Sequence, residues 1–171
     1  EAVVAAGEHS SKRSTPARVM INDRLDVALA AGASGVHLGH ESIPTADVVR
    51  WCRSGNAPED FLIGVSCHGM EDVHRAEAAG ANYVVFGPVF DTPSKRTFGP
   101  PQGIAKLEEA CRSARIPVVA IGGVDAANAA ECLSAGAAGI AAIRMFQSEQ
   151  SQKTLAEHIS KLHLLSVGAR R

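Results

Sequence analysis

The sequence lacks an excess of charge of either sign, a long apolar run and a secretory signal pattern. It contains 17 Lys and Arg residues against 18 Asp and Glu residues, so no net field attracts the protein to nucleic acid or to an anionic membrane. Its longest run of small or apolar residues, 135–143, is far shorter than a membrane span and is followed by Arg144. We therefore expect no nucleic-acid or membrane partner, and any site for an anion must be local.

The sequence also lacks paired cysteines. Its four cysteines, Cys52, Cys67, Cys111 and Cys132, are scattered and form no C-x-x-C motif. This distribution disfavours a disulfide framework or a zinc site, and it fits reduced thiols in a cytoplasmic protein. We expect all four cysteines to be structural.

Size and composition indicate one folded domain. With 171 residues, of which 46% are hydrophobic, the chain can bury one substantial core. No boundary interrupts it, so we predict a single domain over residues 1–171. The chain begins with EAVVAAGEHS, which has no Met and has a helical pattern, and we expect that a segment upstream of it is missing.

An internal repeat indicates how the domain is organised. The segments AGASGVHLG at 31–39, AGANYVVFG at 79–87 and AGAAGIAAI at 135–143 each place Ala-Gly-Ala before a short apolar run. The glycine of each segment can take the left-handed conformation that ends a helix, and the run after it is typical of a parallel strand covered by helices. Each interval between repeats contains one further apolar run, at 61–67 or 117–123, so each interval holds two βα units.

These runs, together with ARVMIN at 17–22, predict a strict alternation of strands and helices. The strands are expected near residues 18–22, 35–39, 61–66, 83–87, 117–121 and 139–143. The helices are expected near residues 24–31, 45–53, 70–79, 103–114, 126–135 and 151–164. Such alternation is typical of a parallel α/β sheet, which is either a barrel or a doubly wound layer.

The positions of the polar residues favour the barrel. Every predicted strand is followed by groups capable of chemistry, and in a TIM (β/α)8 barrel these strand ends converge on one mouth. A doubly wound sheet would often show G-x-G-x-x-G, which follows none of the predicted strands. Because a closed barrel has eight βα units, we predict a partial TIM barrel from which the N-terminal two units are missing. Its open edges predict an aggregated, poorly stable or homodimeric chain.

Two segments have the character of phosphate-binding sites. In AIGGV at 120–124 a strand runs into Gly122 and Gly123 and then into a helix with Asp125 as its expected N-cap. This arrangement predicts either a phosphate cradle of bare backbone N–H groups or only a tight turn between strand and helix. The loop DTPSKR is either a second phosphate site or a solvated surface loop. Its hydroxyl groups belong to Thr92 and Ser94, and its cations are Lys95 and Arg96.

Titratable groups follow other predicted strands. Asn22 and Asp23 lie side by side, and the Asp23 carboxylate either caps the next helix or holds Mg²⁺ against a phosphorylated substrate. His37 and His68 are either acid–base groups or buried, hydrogen-bonded histidines. Two phosphate-like sites and one carboxylate predict phosphorylated small-molecule substrates and a metal ion.

The order and spacing of these motifs resemble those of the thiamine phosphate synthase and TenI superfamily, whose fold is a (β/α)8 barrel. The resemblance rests on VMINDRLDVALAAGASGVHLGHES, IGVSCH, FGPVFDTPSKR and VVAIGGV, and it covers about residues 18–146. It implies a thiamine phosphate synthase of thiamine biosynthesis, in which the nitrogen of thiazole phosphate displaces diphosphate from a hydroxymethylpyrimidine.

The same resemblance implies roles for individual residues. The implied catalytic residues are Lys95, Ser66 and His68. The implied magnesium ligands are Asp23, Glu41 and Ser42. The implied substrate-binding residues are Asn22, His37, Thr92, Ser94, Lys95, Gly122, Gly123, Ile143 and Arg144.

Three departures from the family pattern keep two alternatives open. The family pattern G-Q-E-D reads GHES here, so Ser42 stands in the place of a second metal carboxylate, and Glu41 is the nearby replacement. Arg144 stands where a serine is usual, and the Gln-x-Arg-x-Lys motif of the family is missing upstream. The alternatives are a TenI-type thiazole tautomerase, with His68 as its acid–base group and no need of metal, and a non-catalytic member that binds thiazole phosphate or thiamine phosphate.

Overall fold

The strands form one parallel sheet that follows the order of the chain. A computed structural model of the protein describes residues 17–92, 100–143 and 145. The strands are β1 (Met20–Asn22), β2 (Gly35–Leu38), β3 (Leu62–Cys67), β4 (Tyr83–Phe86), β5 (Val118–Ile121) and β6 (Gly139–Ala141). Each strand pairs in parallel with the next one along the chain. The six predicted strands are confirmed, and their ends agree with the prediction to within two residues.

Helices connect the strands. They are α1 (Leu25–Ala30), α2 (Thr45–Trp51), α3 (Met70–Ala79), α4 (Gly103–Ser113) and α5 (Ala129–Ser134). A π-helical turn, Cys52–Asn56, extends α2 and ends where Gly55 takes a φ of 91°. The helix predicted at 151–164 lies outside the described residues. Of the helices that the structure describes, none is long and apolar enough to cross a membrane.

The repeated glycines end helices as the sequence predicts. Gly32, Gly80 and Gly136 have φ angles of 62°, 90° and 95°, in the left-handed region that glycine adopts without steric cost. Gly80 directly follows the last residue of α3, and its N–H group donates to the carbonyl of Glu77 at 2.9 Å. The chain can therefore leave α3 and enter β4 through a very short connection.

The start of α5 differs from the prediction. The sequence predicts a helix from residue 126 with Asp125 as its N-cap, whereas α5 begins at Ala129. Oδ1 of Asp125 accepts hydrogen bonds from the N–H groups of Ala127 at 2.8 Å and Asn128 at 3.1 Å. Asp125 therefore caps a turn that precedes the helix, because its short side chain competes for these backbone donors.

The strand order decides between barrel and layer. A doubly wound sheet reverses its strand order at a switch point, whereas consecutive strands are neighbours throughout this sheet. The same sequential order occurs in TIM barrels, and the six strands form a half-barrel. Within the described residues β1 and β6 each pair on one side only, so the described sheet is open.

One face of the sheet packs against the helices and forms the core. Alternate residues of a strand point to opposite faces, and on this face the side chains are buried. They include Val36, Leu38, Ile63, Cys67, Val84, Phe86 and Ala120. Each Val, Leu or Phe that is fully buried there contributes about 1.5–3 kcal/mol to the hydrophobic stabilisation. The four cysteines are free thiols, and Cys52, Cys67 and Cys132 are buried, as expected of structural cysteines.

The opposite face of the sheet is only half buried and carries polar groups. Asn22, His37, Gly64 and Tyr83 are in register across β1, β2, β3 and β4, so they share this face. Ser66 lies two residues beyond Gly64 on the same face of β3. This inner face carries Asn22, His37, Ser66 and Tyr83, and it leads to the carboxyl edge of the sheet.

Candidate functional site

Most of the candidate residues that the structure describes meet at the carboxyl edge of the sheet. Asn22 ends β1, and Asp23 follows it. His37 and Ser66 are each the last but one residue of their strand, and His68 directly follows β3. Gly122 and Gly123 follow β5, and Ile143 lies two residues after β6 and is 66% exposed. Ser94, Lys95, Arg96 and Arg144 lie outside the described residues.

Asp23 points to the loop after β2 and does not cap α1. Its Oδ1 accepts hydrogen bonds from the Ser42 hydroxyl and from the N–H of Gly39 at 3.2 Å. Its Oδ2 accepts a hydrogen bond from the side-chain amide of Asn22 at 2.7 Å. The N-cap residue of α1 is Arg24, and no side-chain hydrogen bond caps this helix. The helix-capping interpretation of Asp23 is therefore wrong.

The carboxylate of Asp23 is exposed and charged at neutral pH. The Ser42 hydroxyl, followed by the Gly39 N–H, lowers the pKa of this carboxyl group below its usual 3.8. The backbone of Asp23 has a φ of 59°, a left-handed conformation that Asp tolerates better than most residues. Its N–H donates to the carbonyl of His37 at 2.9 Å, so β2 holds this conformation and aims the carboxylate along the edge.

His37 connects side chains of two other strands on the inner face. Its Nε2 lies 2.9 Å from Oγ of Ser66, and its Nδ1 lies 3.4 Å from the hydroxyl of Tyr83. The His37 and Tyr83 rings are stacked, with centroids 5.9 Å apart and planes inclined by 28°. Burial lowers the pKa of His37 below its usual 6.5, against the opposite effect of the Asp23 charge. His37 is therefore neutral at pH 7.

His68 is held in one tautomer by the loop after β4. Its Nδ1 lies 2.6 Å from the carbonyl oxygen of Gly87, and because a carbonyl can only accept, Nδ1 carries the proton. The backbone N–H of His68 donates to Asp72 at 2.9 Å, and the other oxygen of Asp72 pairs with Arg75. In the neutral ring Nε2 is then an acceptor, and none of the residues that the structure describes donates a hydrogen bond to it.

A cavity lies between α2 and α3 beside these groups. Its volume is about 320 Å³, and its lining includes Gly39, Ser42, Ser66 and His68. The cavity thus extends from Gly39 and Ser42, the residues that donate to Asp23, as far as His68.

The loop after β4 runs alongside the two glycines after β5. The N–H groups of Val89 and Phe90 donate to the carbonyls of Ile121 at 2.8 Å and Gly122 at 2.9 Å. A Cβ atom on Gly123 would lie 2.7 Å from the carbonyl oxygen of Asp91, which is the residue before Thr92. Thr92 is buried, with 7% exposure. The described start of the DTPSKR loop, Asp91 and Thr92, is therefore adjacent to the glycine turn after β5.

The glycines after β5 are required first of all by this packing. Gly122 and Gly123 have φ angles of 92° and 66°, and a Cβ atom on Gly122 would lie 2.5 Å from the Cα of Pro88. The tight-turn interpretation thus accounts for both glycines. A ligand role requires their N–H groups, and no described residue accepts a hydrogen bond from either of them. The N-terminus of α5 does not add N–H groups to such a site, because the turn capped by Asp125 lies between Gly123 and the start of α5.

The described groups fit part of the shell of a magnesium ion. Magnesium prefers oxygen ligands and is commonly bound by one or two carboxylates together with substrate phosphates and water. Asp23 offers one exposed carboxylate, Ser42 a hydroxyl, and Glu41 is exposed in the same loop as Ser42. Among the described residues no three His, Cys, Asp or Glu side chains come together as a complete metal site. The described residues therefore offer only a few of the six ligands that magnesium takes.

Two residues near the site were not singled out from the sequence. Tyr83 contacts His37. This contact could not be predicted, because it depends on the register of Tyr83 with Gly64, which a sequence does not show. Asn128 accepts from the N–H of Asp125 at 2.9 Å, and its amide donates to the carbonyl of Gly123 at 2.9 Å. Asn128 thereby holds the turn after the two glycines, and the available signal was its residue type, since Asn favours turns and helix N-caps.

The fold and this edge define a class of protein. A parallel half-barrel, with a carboxylate, two histidines, hydroxyl groups and a glycine turn at the carboxyl ends of its strands, has the ligand-site arrangement of a TIM-barrel protein.

Comparison with known proteins identifies the family of the chain. A family model described as "Thiamine monophosphate synthase" matches residues 4–146, and the chain belongs to this family. It is 46% identical over 143 residues to a thiamine-phosphate synthase from Methanocella arvoryzae, covering 84% of this chain and 65% of the relative. It is 46% identical over 124 residues to a thiamine-phosphate synthase from Methanoregula boonei, covering 72% of this chain and 55% of that relative.

A solved structure shares the fold. The thiamine phosphate pyrophosphorylase from Pyrococcus furiosus superposes with a TM-score of 0.75 and 34% sequence identity, over 87% of this chain and 69% of that one. The present chain spans between half and two thirds of the length of these two curated relatives. The expected membership of the family is confirmed, and so is the resemblance of the half-barrel to a member of known structure.

Proposed function

We propose that the protein is a thiamine phosphate synthase, which joins hydroxymethylpyrimidine diphosphate to thiazole phosphate. A C–N bond forms between the thiazole nitrogen and the methylene carbon of the pyrimidine, and the C–O bond to diphosphate breaks. The observation that carries the proposal is that the loop leading to Thr92 lies against Gly123, on the same edge as Asp23. Two phosphorylated ligands could thus meet at one edge of the sheet, in a chain that belongs to this family.

The groups around Asp23 are proposed to receive the diphosphate. Asn22 would donate its amide to a diphosphate oxygen, and Asp23, with Glu41 and Ser42 beside it, would hold magnesium. When bound, magnesium supplies positive charge to the leaving group. Ser66 and His68 would contact the pyrimidine diphosphate from the inner face and the cavity, where the Ser66 hydroxyl is oriented by His37.

The second phosphorylated substrate is proposed to bind between the loops after β4, β5 and β6. Thr92 and Ser94 would contribute hydroxyl groups, and Lys95 would neutralise charge on the departing diphosphate. Gly122 and Gly123 would donate backbone N–H groups to the thiazole phosphate. Ile143 and Arg144 would complete the wall of this subsite. Because an aminopyrimidine can stabilise a carbocation, the protein's task reduces to holding the nucleophile in line and stabilising the leaving group.

We also propose that the six strands belong to a closed TIM barrel. Parallel sheets are normally covered on both faces, whereas the inner face of this half-barrel is only half buried. Two further strands would pair with β1 and β6 and enclose Asn22, His37 and Ser66. Enclosure would exclude water from the reacting groups and strengthen their electrostatic interactions.

The second candidate is a thiazole tautomerase, and the geometry of His68 favours it. Its Nδ1–H bond to Gly87 leaves Nε2 as a base of defined orientation, which suits a proton shuttle. We rank it second because Asp23, which the tautomerase does not need, is charged and exposed at the same edge.

One assay separates the candidates. The purified protein is incubated with hydroxymethylpyrimidine diphosphate and thiazole phosphate, with and without magnesium, and diphosphate and thiamine phosphate are measured. We expect one diphosphate for each thiamine phosphate, in the presence of magnesium only. Isomerisation of a thiazole carboxylate without metal, with no diphosphate at any magnesium concentration, would instead identify the tautomerase. Binding of thiamine phosphate without turnover of either kind would identify a non-catalytic member.

A further inference from the structure

A line of hydrogen bonds crosses three adjacent strands on the inner face. It runs from the hydroxyl of Tyr83 on β4 to Nδ1 of His37 on β2, and from Nε2 of His37 to Oγ of Ser66 on β3. None of the three residues is adjacent to another in sequence, and Tyr83 and His37 are 46 residues apart. Ser66 and His37 have proposed roles in the site, whereas Tyr83 has none so far.

Gly64 makes this arrangement sterically feasible. It lies on β3 between His37 and Tyr83, in register with both. A Cβ atom on Gly64 would come within 2.1 Å of Cζ of Tyr83, so the phenol ring occupies the space that a side chain would take. The ring can therefore pass over β3 and stack on His37, at 5.9 Å between centroids.

Two arrangements of the protons fit this line, because the hydroxyls of Tyr83 and Ser66 can each donate or accept a hydrogen bond. Burial raises the pKa of Tyr83, so its phenol keeps its proton and can donate to Nδ1 of His37. With Nδ1 as an acceptor, the single imidazole proton lies on Nε2 and is donated to Oγ of Ser66. One lone pair of Ser66 is then occupied, and its own proton is directed to a ligand.

We propose that Tyr83 is a positioning residue, which orients Ser66 through His37 so that the Ser66 hydroxyl donates to an acceptor atom of the pyrimidine diphosphate. The proposal rests on the proposed synthase function. Tyr83 does not touch the substrate in this arrangement. It selects the tautomer of His37 through its hydroxyl group and fixes the plane of the imidazole through its ring.

Nitrogen NMR of the histidine rings tests the network directly. In the wild-type protein we expect His37 to be the neutral Nε2–H tautomer, whereas His68, whose Nδ1 faces the Gly87 carbonyl, should be the opposite Nδ1–H tautomer and serves as an internal reference. Tyr83→Phe keeps the stacked ring and removes only the hydroxyl. It should convert His37 into a mixture of tautomers and leave the His68 signals unchanged. A His37 ring protonated at Nδ1 in the wild type, or His37 signals unaffected by Tyr83→Phe, would refute the proposal.

Kinetics tests whether the network acts through Ser66. We expect Tyr83→Phe to lower kcat for thiamine phosphate formation by about three- to tenfold, the order of one neutral hydrogen bond. In a Ser66→Ala background the same change should have no further effect, because the group that Tyr83 orients is gone. Full additivity of the two losses would contradict the proposal. His74→Gln, an exposed change on α3, is the control that should leave kcat unchanged.

Failure of the proposed function would look different. If the wild-type protein forms no thiamine phosphate while the His37 signals respond to Tyr83→Phe as expected, the synthase function is wrong, and the role of Ser66 towards pyrimidine diphosphate is refuted with it. If the wild type is active and Tyr83→Phe changes neither kcat nor the His37 signals, the synthase function stands and only the role of Tyr83 is refuted.

Discussion

The hydroxyl of Ser42 donates a hydrogen bond to Oδ1 of Asp23, and it thereby links the loop after β2 to the loop after β1. The same hydroxyl oxygen accepts the N–H of Gly39 at 2.7 Å, so Ser42 is held at both its donor and its acceptor side. A carboxylate at position 42 would bring a second negative charge to this place. Because position 42 is a serine, Asp23 is the one carboxylate at positions 23 and 42.

This relationship predicts that the protein binds magnesium weakly and needs a high magnesium concentration for activity. Asp23→Ala should abolish synthase activity, because we expect that Glu41 and the Ser42 hydroxyl do not hold the ion without Asp23. Ser42→Asp should lower the magnesium concentration for half-maximal activity by about tenfold, since a second carboxylate completes a common ligand pair. Asp47→Ala removes an exposed carboxylate that pairs with Arg50 on α2 and is the matched control. A magnesium dependence that is identical in wild type and Ser42→Asp would contradict this view of Ser42.

Chelation gives the second prediction. Thiamine phosphate formation should stop on addition of EDTA and return when magnesium is restored, because the diphosphate leaving group needs a counter-charge. The measurement is product formation over a magnesium titration. Isomerisation of a thiazole carboxylate that survives EDTA but disappears in His68→Ala, with no thiamine phosphate formed, would show that the protein acts as a metal-independent isomerase.

The packing of the glycine turn gives a third prediction. Gly122→Ala should lower the free energy of unfolding by about 2–4 kcal/mol, because it adds a left-handed alanine and a contact of 2.5 Å with Pro88. Gly32→Ala is strained but meets no atom within 4 Å, so it should cost about 1–2 kcal/mol. Gly139→Ala, on β6, has neither the positive φ nor a neighbour within 4 Å and should change stability little. Urea denaturation of the three variants measures these differences, and an equal loss in all three would refute the packing argument.

The environment of His37 predicts a pH dependence of stability. Because burial lowers its pKa in the folded protein, the unfolded chain binds a proton more readily below the usual value of 6.5. Stability should therefore fall as the pH decreases from 6.5 towards the folded-state pKa. In His37→Gln this part of the dependence should be lost, whereas the exposed His74→Gln should retain it. Urea midpoints measured between pH 7 and pH 5 provide the test, and parallel curves for wild type and His37→Gln would disprove it.

Much of the fold could be predicted because its signals are local. Gly32, Gly80 and Gly136 end helices through their own backbone conformation, and the apolar runs after them form β2, β4 and β6. A chain of alternating strands and helices can form few sheets, so the parallel arrangement followed from the pattern itself. The start of α5 was predicted wrongly because Asp125 accepts hydrogen bonds from backbone donors in a turn. The hydrophobic periodicity of the sequence does not reveal such a turn.

The sequence by itself determined which chemical groups stand at the strand ends and the family to which they belong. Only the tertiary structure decided how those groups are paired. Asp23 has the sequence context of a helix cap, yet it bonds Ser42, and Tyr83 reaches His37 across Gly64. Both contacts depend on the register between neighbouring strands, which is set by the packing of the whole sheet and not by residues adjacent in the chain.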